Sequence, residues 1–217
     1  MAHLVDFIKE EPLALARKKL AAAHDFIVSR AQVALRQPPT AQAGWGISTK
    51  RLKVDLSGHE RPELVKKGSE RLAEILNIAA TIERLLGALL WFEQEPRFQW
   101  LEVQICHPST SSAKNSNDLV LAEKNGLVCV RCEVCDVAAR SAGQNGKEQK
   151  DLKSLRCESG VPKDGIYRFL CTSSEFADAL TSEKRDWAML LYRYIAHPVA
   201  DGSETFMLEV LAPDDQR

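Results

Sequence analysis

The sequence predicts a layered α/β protein: a mixed β-sheet flanked by helices, with an N-terminal helical extension. Three observations carry that expectation. An early segment repeats apolar residues at spacings of three and four. A second, longer segment does the same and becomes apolar on most sides. After about residue 98 the chain changes to short runs rich in Val, Ile, Leu and Cys, broken by Ser, Pro, Gly and Asn. Strand runs interleaved with helical runs bury their apolar faces best as stacked layers.

The elements follow in order. Pro12 to Arg36 is rich in Ala, Leu, Lys and Arg, all good helix formers. Leu13, Ala16, Leu20, Ala23, Ile27 and Ala31 give it one apolar stripe. Pro38-Pro39 stops it, and Gln37 to Thr49 is a linker containing Trp45. Lys50 to Leu56 alternates as a short strand. The spacing predicts a long helix over Pro62 to Phe92, with Pro62 in its first turn. Strands are expected at Phe98–Ile105, Leu119–Ala122, Leu127–Val137 and Ile166–Thr172. Lys147 to Arg156 is helical. Ser173 or Ser174 caps a helix through Phe176 to Leu180. Trp187–Ala196 and Thr205–Leu211 form a hairpin around Pro198–Ser203. The division is an N-terminal helix and linker, 1–49, and an α/β domain, 50–217.

Composition narrows the class. At 217 residues with 45% hydrophobic side chains, the chain can bury a core without covalent staples. The net charge is -1, so no global positive field points to nucleic acid. The start carries no basic and apolar leader pattern, and the apolar run near Ile78–Phe92 is interrupted by Glu83 and Arg84. The expected setting is the cytoplasm, away from membranes, with six reduced cysteines acting as small apolar fillers.

Chemistry points to Asp118 and Glu133. Strand side chains alternate faces, so Val128, Val130, Cys132 and Val134 share one face of the Leu127–Val137 strand. Cys129, Arg131, Glu133 and Cys135 share the other. A carboxylate on a central strand is costly unless it is paired or binds a metal. Asp118 opens the preceding strand. Two carboxylates from adjacent strands suit a hard cation such as Mg²⁺, and with it phosphodiester hydrolysis. The bland reading pairs Glu133 with Arg131 or a helix lysine and makes Asp118 a loop cap.

Asn117-Asp118 followed by Glu133-Val134-Cys135, within a long helix, three strands, a helix and a further strand, resembles the restriction-endonuclease-like PD-(D/E)xK nucleases. The resemblance spans about Pro62 to Thr172. It implies a nuclease-like core and Mg²⁺ held by Asp118 and Glu133. It also implies DNA as partner and a lysine that positions the attacking water. Asn117 stands where the family often has Pro, and Cys135 stands where the lysine belongs. In some members that lysine has moved to the next helix, which makes Lys150 and Lys153 the catalytic candidates here. Without it, the chain keeps the scaffold as an inactive protein- or DNA-binding module.

Cys129, Cys132 and Cys135 have zinc-like spacing, but strand alternation turns Cys132 away from the other two. A Cys129–Cys135 redox pair is the related reading. His107 and His197 end strands and are either bases or plain polar residues. Ser109 to Ser112 is a loop beside the presumed site. Lys147, Lys150, Lys153 and Arg156 form either a solvated face or phosphate contacts. The stripe of the first helix serves either the core or a homodimer interface.

Overall fold

The structure, a computed structural model, describes residues 4–36, 52–58, 60–108, 117–135, 150–157, 162–181, 193–200 and 204–211. The Gln37–Thr49 linker, the Ser109–Ser112 and Ser141–Gly146 loops, Lys147 and the start of the Trp187 strand lie outside them.

Among the described residues the main body is a seven-stranded mixed sheet. Its strands are β1 (Ile8–Pro12), β4 (Glu102–Cys106), β5 (Leu119–Ala122), β6 (Val128–Val134), β7 (Tyr167–Ser173), β9 (Thr205–Leu211) and β8 (Arg193–Pro198), in that spatial order. All neighbours are antiparallel except β6 and β7, which run parallel. A parallel pair needs a crossover. The crossover here includes α3, whose described part is residues 150–154. The helices α1 (Leu13–Arg36) and α2 (Leu72–Gln94) share one core with Val130, Cys132, Phe169 and Met207. On the other face α3 and α4 (Ser174–Thr181) pack with Cys135, Leu170, Leu208 and Val210.

The α1 stripe is buried within the chain, which answers the choice between core and partner for those six residues. Three features differ from expectation. Ile8–Pro12 is a strand, and it pairs with β4 as the sheet edge. Lys9, Glu10, Glu11 and Pro12 suit an edge, because charge and proline discourage further pairing. The second helix starts at Leu72, not Pro62. Ser69–Arg71 is instead β3, paired with β2 (Lys53–Asp55), and Val65 bridges to Val5. Long-range pairing thus takes residues whose local spacing is helical. The strand expected from Phe98 begins only at Glu102, because Phe98 sits in a turn and fills the core.

The core of the α2 face is aromatic. Trp91, Phe92 and Phe98 surround Phe169 with ring centroids 5.3, 5.4 and 5.7 Å away. These near-perpendicular contacts add to area burial. α2 is long and apolar enough by composition to cross a membrane, but it serves as the central core helix of this sheet.

α2 approaches the sheet most closely at Gly87. A Cβ there would stand 2.9 Å from Thr205 Cγ2. Thr205 is buried and its hydroxyl accepts from Arg84 Nη1 at 2.9 Å, so it cannot turn aside freely. Gly87→Ala is therefore expected to destabilise by about 1–3 kcal/mol despite the better helix propensity of alanine. Chemical denaturation measures this; an unchanged midpoint would show that α2 shifts without cost.

Candidate functional site

The site sits on the α3 face, where β5 and β6 end beside the crossover. Leu119 faces Cys132 and Val120 faces Arg131. The same register carried one step on sets Asp118 opposite Glu133. Directly opposed residues share a face and hold their Cβ atoms close. On its other side Asp118 continues the β4–β5 pairing, with His107 N–H donating to Asp118 O at 2.7 Å. Asp118 Oδ2 in turn accepts from Val134 N–H at 2.8 Å, which fixes the start of β5 against the end of β6.

Glu133 is buried, at 6% exposure. Its Oε1 accepts from Asn117 Nδ2 at 2.8 Å and from Ser154 Oγ at 2.5 Å. Asn117 Nδ2 also donates to Ser154 O at 3.1 Å, and its Oδ1 accepts from Arg131 Nη1 at 2.7 Å. The amide orientation follows from these contacts. Flipped, it would turn an oxygen to the carboxylate and a nitrogen to the guanidinium. Neither expected partner holds Glu133: Asn117 stands between it and Arg131, and Ser154 supplies the helix contact.

Burial and the neighbouring charge of Asp118 push the Glu133 carboxyl up to about 9, against the two hydrogen bonds, and Asp151 adds to the push. Asp151 is itself buried on α3. Carboxylates from β5 and α3 thus both act on Glu133. Asp118 and Glu133 are the residues that could hold a hard cation here, as oxygen ligands from adjacent strands. No group of three His, Cys, Asp or Glu side chains poised around one metal occurs among the described residues.

Lys150 and Lys153 lie exposed on α3, and neither hydrogen-bonds Glu133. Cys135 is fully buried with Leu152, Leu155, Cys157 and Leu170. Its N–H donates to Cys171 O at 2.9 Å, and its carbonyl accepts from Thr172 Oγ1 at 2.7 Å. The position that would carry the motif lysine is therefore an apolar contact under α3.

The three spaced cysteines are separated. Cys132 lies in the α2-side core and Cys135 in the other, while Cys129 falls where the β5–β6 register shifts and packs at the edge of the α2-side core. Cys129 and Cys135 form no disulfide. The bulge explains why Cys129 leaves the face that alternation assigned it. His107 is buried edge-on against Phe7, with centroids 4.1 Å apart. His197 packs on Trp91 and meets Glu209 Oε2 at 3.4 Å on the opposite face of the sheet from Glu133. Nothing in the sequence marks Ser154 or Asp151, and Asn117 stands out there only beside Asp118, not as a partner of Glu133. The usable signal was the pair Asn117-Asp118, whose two polar side chains divide between one carboxylate and one backbone amide.

A prediction follows from Glu133. Its folded value is raised, so folding favours the protonated acid. That stability is complete below the ordinary range near 4.5 and is lost as pH rises toward 9. Glu133→Gln keeps an oxygen for Asn117 and Ser154 without the charge. We expect it to raise the melting temperature at pH 8 and to flatten the decline between pH 5 and 9. An unchanged pH profile would count against a buried, charge-crowded carboxyl.

Comparison with protein-family models, curated proteins and solved structures gives no match to this chain, so its family is not shown by likeness.

Proposed function

We propose that this protein is a restriction-endonuclease-like nuclease that hydrolyses DNA phosphodiesters with Mg²⁺ held by Asp118 and Glu133. The observation that carries the reading is the register that continues to an Asp118–Glu133 pair, with a third carboxylate, Asp151, close enough to act on it. The element order supports it: α2, the meander β4–β5–β6, α3 and then β7 parallel to β6. Mg²⁺ supplies charge neutralisation and an activated water in such chemistry. The chain's residues do the rest. Ser154 and Asn117 hold Glu133 at one oxygen, and the Val134 amide holds Asp118 at one oxygen. Both acids are then oriented before any ion arrives.

A second reading has its own observation. Cys135 is packed into the apolar cluster under α3, and the α3 lysines are exposed. On that ground the chain is a catalytically silent scaffold that binds DNA or protein, as a dimer. Incubation with supercoiled plasmid and Mg²⁺ or Mn²⁺ separates the two. The nuclease reading expects nicking or cutting that falls at least about a hundredfold in Asp118→Ala and Glu133→Ala, the scale of losing a charge-stabilising group. No cleavage with either ion, or cleavage equal in the variants, would leave the scaffold. Lys150→Ala and Lys153→Ala are compared alongside, because the relocated-lysine reading requires one of them to slow the reaction.

A further inference from the structure

Next to the acidic site lies a positive one. Arg131 on β6 is directly opposite Arg168 on β7 in the parallel register. Like charges so placed repel. Arg168 is neutralised: it is fully buried, and Asp164 takes Nη1 and Nη2 at 3.1 and 2.7 Å. Its Nε donates to Leu155 O at 2.9 Å, which draws the end of α3, and with it Arg156, to the pair. Arg131 has no such relief. Among the described residues it forms no ion pair, its Nη1 goes to the neutral Asn117, and its buried Nε has no hydrogen-bond partner. Burial first, then Arg156 and Arg168, pull the guanidinium below its ordinary value, with Asp164 opposing. It still stays cationic at neutral pH.

Arg156 adds a second, independent sign. Its φ is +61°, in the left-handed region. Cys157 N–H bonds Leu152 O and Arg156 N–H bonds Lys153 O, both at 2.9 Å. That is the closing pattern of a helix whose left-handed residue is ordinarily glycine. An arginine there carries backbone strain that glycine would not. It is exposed and has no carboxylate partner among the described residues.

We infer that Arg131 and Arg156 form a phosphate-binding site for the backbone of a nucleic acid, set beside the Asp118–Glu133 pair and separated from Glu133 by Asn117. Arginine's planar fork suits phosphate oxygens. Asn117 keeps the guanidinium from collapsing onto Glu133, so the two groups of opposite sign stay apart on adjacent positions of one strand face. The inference takes its neighbouring site from the proposed function but needs no cleavage.

The test is binding without metal. A fluorescein-labelled short duplex is titrated in EDTA and read by anisotropy at several salt concentrations. The wild type is expected to bind. Arg131→Gln and Arg156→Gly are each expected to weaken binding about tenfold, the scale of one charged hydrogen bond. Each should also lower the slope of log affinity against log salt by about 1. Lys18→Gln removes the same charge from α1, on the other side of the sheet, and should leave both quantities nearly unchanged. Arg156→Gly should keep or raise the melting temperature, since glycine suits its φ, so its loss of binding is not loss of fold. Arg131→Lys is included as the charge-keeping variant and should retain part of the affinity. Inorganic phosphate should compete with the duplex. The inference is overturned if the wild type does not bind, or if Arg156→Gly binds like wild type. A loss in Lys18→Gln equal to that in the arginine variants, or a lowered melting temperature for Arg156→Gly with unchanged affinity, also overturns it. Arginine-dependent binding without plasmid cleavage would retain this site and reject the nuclease.

Discussion

The interaction on which the site depends is the hold of Asn117 and Ser154 on the buried carboxylate of Glu133. An acid at 6% exposure on a central strand is tolerated only with donors in place. Those donors come from the start of β5 and from α3. The same contacts therefore dock the crossover helix on the sheet and keep β5 in register with β6. Leu152, Leu155 and Cys157 complete that docking from the apolar side. Polar and apolar contacts under α3 are two parts of one surface.

Charge on this surface falls into two groups. Asp118 and Asp151 act on Glu133 at one end, and Arg156 and Arg168 act on Arg131 beside it, with Asp164 paired to Arg168 and opposing them. Asn117 lies between, presenting its NH₂ to the acid and its oxygen to the arginine. Direct Glu133–Arg131 pairing would have neutralised both groups and closed the face. A neutral amide in that place keeps the two groups apart; under the proposed function the acidic one takes a divalent ion and the basic one a phosphodiester.

The sequence made much of this legible. Alternation around Val130, Cys132 and Val134 identified the core face of β6, and the stripe of α1 was read residue by residue. The hairpin β8–β9 and the Ser173 cap were legible too, with Phe176 N–H donating to Ser173 Oγ at 3.4 Å. What escaped was whatever depends on distant partners. β1 and β3 exist because β4 and β2 accept them, and local spacing carries no trace of that. The partners of Glu133 were invisible for the same reason: Asn117 and Ser154 are ordinary polar residues until the register brings them together. Cys135 was legible as a departure from a motif; its burial under α3 gives the departure a physical cause, since an ammonium there would lie in an apolar cluster.

Under the proposed function Asp118 and Glu133 form one cation site, which calorimetric titration of the intact protein with Mn²⁺ and with Mg²⁺ reads directly. The wild type is expected to bind an ion, and Asp118→Asn and Glu133→Gln to lose that binding with the fold retained. Binding that survives both substitutions, or no heat from either ion in the wild type, would contradict it.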